Sequence, residues 1–107
     1  ESLGLIGDRG SAADAWPIIR RAARDGYTPL RRNALLALGR LGDRDSLPML
    51  RDALADKDED ARGAAAEAIA LLGDADSLDA LTRAGRVEKI TWTRKTIERA
   101  MARISGK

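Results

Sequence analysis

The sequence predicts an all-α solenoid of stacked antiparallel helix pairs, and three observations carry that prediction. The stretch RLGDRDSLPML, Arg40 to Leu50, returns thirty-one residues later as LLGDADSLDAL, Leu71 to Leu81. Self-similarity at a period of roughly 20–50 residues marks repeats that share one core. Ala, Leu and Arg dominate, β-branched residues are sparse and only three aromatics occur, Trp16, Tyr27 and Trp92, a composition that favours helix over sheet. Within each repeat, apolar residues recur at helical spacing. With 107 residues the chain is long enough to bury a core without crosslinks.

Taken in order, residues 1–8, ESLGLIGD, predict the end of a further repeat, because Leu3 and Ile6 fall where Leu38 and Leu41 fall later. Leu3, Leu5 and Ile6 would leave an apolar end able to drive end-to-end self-association. After this stub the solenoid, spanning 1–107, divides into repeats at about 9–42, 43–73 and 74–107. Asp14, Asp45 and Asp76 stand just ahead of Trp16, Leu47 and Leu78. A carboxylate there can accept hydrogen bonds from the unpaired N–H groups of a new helix, so all three are expected as N-caps. Pro17 and Pro48 suit the first turn, where a missing N–H costs nothing. First helices are expected at about 15–24, 46–55 and 77–85.

The second helices begin at Thr28-Pro29 and, in the third pair, at Thr91. Four rows recur along them: Ala34, Ala65 and Ile97; Ala37, Ala68 and Ala100; Leu38, Ile69 and Met101; Leu41, Leu72 and Ile104. Their spacing describes one apolar helical face, with small residues where stacked helices must approach. Gly42 and Gly73 fit the left-handed residue that ends a helix. The third pair departs from the pattern. Gly85 replaces Leu54, one residue is inserted near Val87, and RVEKITWTRK is polar where a turn is usually tight. This last pair is either a regular repeat or a modified C-terminal cap.

The segment DKDEDARGAAAEAIALLGDADSLDAL, with Asp56, Arg62, Ala65, Ala68, Ile69, Leu72, Gly73 and Asp74, resembles HEAT-like repeats of the short bacterial and archaeal type associated with phycobilisome lyases. The resemblance implies a right-handed superhelix with first helices on the convex side and second helices on the concave side. It also implies that the turn Asp and the second-helix Arg tie neighbouring repeats together.

Composition excludes much chemistry. Without Cys there are neither disulfides nor thiolates, and without His the commonest general base and metal ligand is missing. No nucleophile with a partnered base, metal set or cofactor loop is present, so no enzyme activity and no cofactor are expected. Asp56, Asp58, Asp60 and Glu67 match four positions of a calcium-loop template, but Ala61 stands where the sharp turn needs Gly. A negatively charged helix start explains these acids without a metal. Lacking an apolar run of membrane-spanning length or a signal peptide, the chain is expected to be cytoplasmic.

Charge is segregated: +3 over residues 1–42, −7 over 43–82 and +6 over 83–107. Arg31, Arg62 and Arg94 recur at the repeat period and are expected to form a ladder of inter-repeat bonds to carboxylates or carbonyls. Lys95, Arg99 and Arg103 have no basic counterparts in the middle repeat. They form a stripe, read either as the solvated face of a cap or as an anion-binding strip. Trp92 aligns with Pro29 and Asp60 in an exposed first turn, where it is either an interaction anchor or a cover for the last repeat. Arg32, Asn33, Leu36 and Arg40, with Ala64, Glu67 and Leu71 one repeat on, point away from the apolar rows.

The sequence therefore predicts a noncatalytic scaffold that binds a protein or peptide on the face of its second helices. The candidate contact residues are Arg32, Asn33, Leu36, Arg40, Glu67, Leu71, Trp92, Lys95, Arg99 and Arg103. A second reading is nucleic-acid or polyanion binding through the basic C-terminal third, although no stacking array or groove-reading motif supports sequence-specific recognition. A third is a bilin lyase subunit, against which the lack of Cys and His and the short length weigh.

Overall fold

The computed structural model describes residues 16–106. Within them, α1 covers residues 16–25 and pairs in sequence with α2, Thr28–Leu41. A 3-10 turn, Arg44–Ser46, leads into α3, Leu47–Ala53, followed by α4, Glu59–Leu72. A second such turn, Ala75–Ser77, leads into α5, Leu78–Val87, and then α6, Thr91–Ile104. No strand occurs among the described residues. The helix pairs form an α-solenoid, as the repeat period predicts. The third pair is complete, with α6 packed on both α5 and α4.

The second helices make one close layer. Helix α4 packs against α2 on one side and α6 on the other, whereas α3 and α5 do not pack closely together. Small residues permit the closeness: a Cβ on Gly39 of α2 would stand 2.6 Å from the Ala68 Cα of α4. A stack with one close layer and one splayed layer curves toward the close layer. Flanked on both sides, α4 buries most of its surface, including Ala61, Ala65, Ala66, Ala68 and Ile69. The fully buried large side chains Leu35, Leu38, Leu50, Ile69, Leu81 and Ile97 run through all three pairs as one core.

Several expectations need correction. Asp45 and Asp76 do not cap α3 and α5. Each lies exposed inside its 3-10 turn, and the helices begin behind Ser46 and Ser77, which make no side-chain capping bond. The turn itself supplies acceptors: the Asp43 and Arg44 carbonyls accept from the Ser46 and Leu47 N–H groups, and the Asp74 carbonyl accepts from Ser77. Asp14, the stub and Leu3, Leu5 and Ile6 lie outside the described residues. Leu41 is 43 % exposed, because α2 turns Ala34, Leu35, Leu38 and Gly39 inward instead. Ala64, expected on the open face, is buried, since α4 has neighbours on either side. Trp16 needs no such correction: it is half-buried and packs on the core, with the Arg20 guanidinium 5.7 Å from its ring centroid. Gly42 and Gly73 do end α2 and α4 with positive φ, 79° and 65°.

Two polar ladders lock the joints. Arg31 and Arg62 make the inter-repeat bonds their spacing predicts, whereas among the described residues Arg94 bonds only within its own pair. Arg31 donates to both oxygens of Asp56 at 3.1 and 3.0 Å, and Arg62 to both oxygens of Glu88 at 2.7 and 2.9 Å. Arg94 donates to the Glu88 carbonyl. Bidentate pairing of this kind is the strongest form of the guanidinium–carboxylate bond. The other ladder belongs to the first helices: Arg20 binds Asp43 and Ser46, and Arg51 binds Asp74 and Ser77. The resemblance implied that the turn Asp and the second-helix Arg tie neighbouring repeats, and the Arg31–Asp56 pair does so; the first-helix arginines add a second tie, to Asp43 and Asp74 in the turns between pairs.

These carboxyls are held ionised. Burial pushes the Asp43 carboxyl up, but the hydrogen bonds from Arg20 and Ser46 and the charge of Arg20 bring it below the usual carboxylate range. Asp56 is likewise raised by burial and brought lower overall by the Asp58 N–H and Arg31. The Ser77 hydroxyl is the main cause of the lowering at Asp74, and Arg62 that at Glu88, in both cases against a burial penalty.

Candidate functional site

The exposed side of the second-helix layer is assembled from α2, α4 and α6, each 14 residues long. Helical spacing puts one stripe of each on this side. Arg32, Asn33 and Arg40 of α2 are exposed and Leu36 is half-buried. From α4 the stripe is Glu67 and Leu71, and from α6 it is Lys95, Arg99 and Arg103, all exposed. Trp92, in the first turn of α6, is 65 % exposed.

Two clefts divide these residues. The first, about 180 Å³, brings together Arg32, Leu36, Glu67 and Trp92 with Glu59 and Asp60 at the start of α4. The second, about 270 Å³, lies between the later turns of α4 and α6 and joins Glu67 and Leu71 to Arg99 and Arg103. Glu67 lines both. Asn33, Arg40 and Lys95 line neither cleft. Carboxylates outnumber arginines in the first cleft and the reverse holds in the second, so the face changes sign along the helix axes. Arg99 donates to the Thr96 hydroxyl at 3.2 Å, and among the described residues neither Arg99, Arg103 nor Lys95 forms an ion pair.

The acids of the calcium-loop template act as a helix start. Asp58 accepts from the Ala61 N–H and so caps α4, and Asp56 accepts from Arg31 and from the Asp58 N–H. Both therefore have partners within the chain.

Repeats whose paired helices stack into a close and a splayed layer, joined by arginine–carboxylate ladders, describe an architecture that can be compared with known families. The profile of the HEAT repeats family matches residues 17–102. The chain belongs to the HEAT-repeat family. No curated protein and no solved structure matches it. The HEAT assignment covers all of the helices α2 to α5 and most of α1 and α6. No helix among the described residues is long and apolar enough to cross a membrane.

Beyond the HEAT second-helix face, sequence reasoning missed two features. One is the first-helix ladder, whose signal was legible: Arg20 and Arg51, Ser46 and Ser77, and Asp43 and Asp74 each recur thirty-one residues apart. The other is a groove of about 630 Å³ on the first-helix side, between α3 and α5. Its signal lay in residues where the third repeat departs from the second.

Proposed function

We propose that the chain is a noncatalytic interaction scaffold that binds a protein or peptide across its second-helix face. The observation that carries this reading is the pair of clefts sharing Glu67, with an exposed apolar anchor beside each, Trp92 and Leu71. Trp and Arg side chains are where binding energy concentrates in protein interfaces, and stacked helix pairs offer extended contact area. Membership of a HEAT family supports protein binding in general. The choice of face and residues rests on the exposed stripe itself.

Affinity capture from lysate tests the reading when four chains are compared at low and high salt. These are the wild type, the face variant Leu71→Glu with Trp92→Ala, the charge-reversed variant Lys95→Glu with Arg99→Glu and Arg103→Glu, and Val87→Glu on the opposite side. A discrete protein held at high salt by wild type and Val87→Glu, and lost from the face variant, is the expected result. Nucleic acid recovered only at low salt, and lost on charge reversal, would replace the proposal with polyanion binding, whose affinity falls steeply with salt.

A further inference from the structure

On the side away from the second-helix face, α3 and α5 diverge, and the space between them is the groove of about 630 Å³, open along its outer side. Leu54, Ala80, Ala84, Val87 and Ile90 form its apolar wall. The volume falls within the roughly 300–1,000 Å³ of small-ligand sites. Two independent observations indicate what would occupy it.

Repeat comparison is the first. Arg51, Asp56 and Arg62 at this groove belong to the recurring joints, whereas Ala80, Arg83 and Val87 along its α5 wall break the pattern. Ala80 stands where Met49 stands thirty-one residues earlier, and Arg83 stands where Asp52 does. Val87, beside the one-residue insertion, is 75 % exposed at the groove. A shortened side chain opens the trough, and a reversed charge at the same wall makes its rim basic.

The second observation is how the charges around the groove are paired. Its two anions are spent, since Asp56 is bound by Arg31 and Glu88 by Arg62. Arg51 is engaged by Asp74. Arg83 and Lys89 remain exposed, and among the described residues neither pairs with a carboxylate. The groove is therefore an apolar trough whose only unspent charges are cationic.

We propose that this groove binds a small anionic amphiphile, an aliphatic chain bearing a carboxylate. The chain lies along Leu54, Ala80 and Ala84, and the carboxylate sits at Arg83 and Lys89. Exposed ion pairs are individually weak, so the apolar wall supplies most of the affinity and the two cations select the head group. The site is independent of the second-helix face.

Calorimetric titration of the full chain with decanoate, decanol and decyltrimethylammonium, all below their micelle concentrations, tests the assignment. Decanoate should bind most tightly and the cationic amphiphile most weakly. Arg83→Glu with Lys89→Glu, two exposed positions remote from the core, should weaken decanoate by about tenfold and invert the order. Ala80→Met, which installs the residue of the middle repeat, should abolish decanoate binding while circular dichroism is unchanged. Absence of decanoate binding, equal affinity for all three head groups, or binding insensitive to the charge reversal would each overturn the proposal.

Discussion

Asp43 shows how much of the joint depends on one residue. Its side chain is 1 % exposed, and it accepts from Arg20 and from the Ser46 hydroxyl. Asp43→Ala leaves the buried hydroxyl and a partly buried guanidinium without their acceptor. It should cost about 2–4 kcal/mol in urea unfolding, below the full cost of breaking a wholly buried pair because Arg20 remains in contact with water. Titration adds a signed expectation. Asp43, Asp56, Asp74 and Glu88 are all held below the usual carboxylate range, so as pH falls the unfolded chain takes up protons first. The stability these groups contribute is fully present above the unfolded carboxylate pKa of about 4. It is lost as pH falls through that value toward the lower folded pKa. Urea midpoints measured from neutral to acid pH should hold and then fall, and Asp43→Asn with Asp74→Asn should flatten that fall. Midpoints that do not drop in acid would contradict the role given to these carboxylates.

At the scale of elements, the close second-helix layer makes two glycines respond oppositely to the same change. A Cβ on Gly39 would meet the Ala68 backbone at 2.6 Å, whereas one on Gly63 would meet only the Thr96 methyl at 3.8 Å. Gly39→Ala gains helix propensity but must push α2 from α4, and overpacking against backbone should leave it destabilised by about 1–3 kcal/mol. Gly63→Ala meets an ordinary contact and should stabilise by about 0.5–1 kcal/mol. Denaturant midpoints moving in the same direction for both would show that α2 and α4 are not held as close as the structure has them. The contrast was hidden in the sequence, where both positions are simply glycines inside helical patterns. Which one lies at a helix crossing depends on how α2 and α4 rotate against each other. The packing of α4 between its two neighbours likewise buries Ala64, while Leu41 at the end of α2 stays exposed.

For the whole molecule, stability is a chain of neighbour contacts, so the interface terms should be separable. Arg62 reaches from α4 to both oxygens of Glu88, which is buried in the turn between α5 and α6, and also donates to the Asp56 carbonyl. Arg62→Met strands Glu88 and should uncouple the third pair from the second. Hydrogen exchange should then show α5 and α6 losing protection before α2 and α4, with a smaller denaturant slope as the transition broadens into two steps. A uniform loss of protection would mean that the solenoid unfolds as a single unit and that Arg62 is not its hinge.

What the sequence determined by itself is what repeats: the pairing of helices, the Gly stops, the second-helix arginine ladder and the membership of a HEAT family. Repetition makes these legible, because a position that serves the same joint in successive repeats keeps the same residue type. The exposure of Trp92 was legible for the same reason, through its alignment with first-turn positions. Only the tertiary structure decided how the stripes assemble. It brought Arg32, Leu36, Glu67 and Trp92 into one cleft, left Asn33, Arg40 and Lys95 outside it, and gave the ion pairs of the turns to Asp43 and Asp74 while Asp45 and Asp76 stay exposed. It also opened the groove between α3 and α5. These features depend on distances between helices far apart in sequence, set by the bulk packed between them, and such distances leave no period in a single chain.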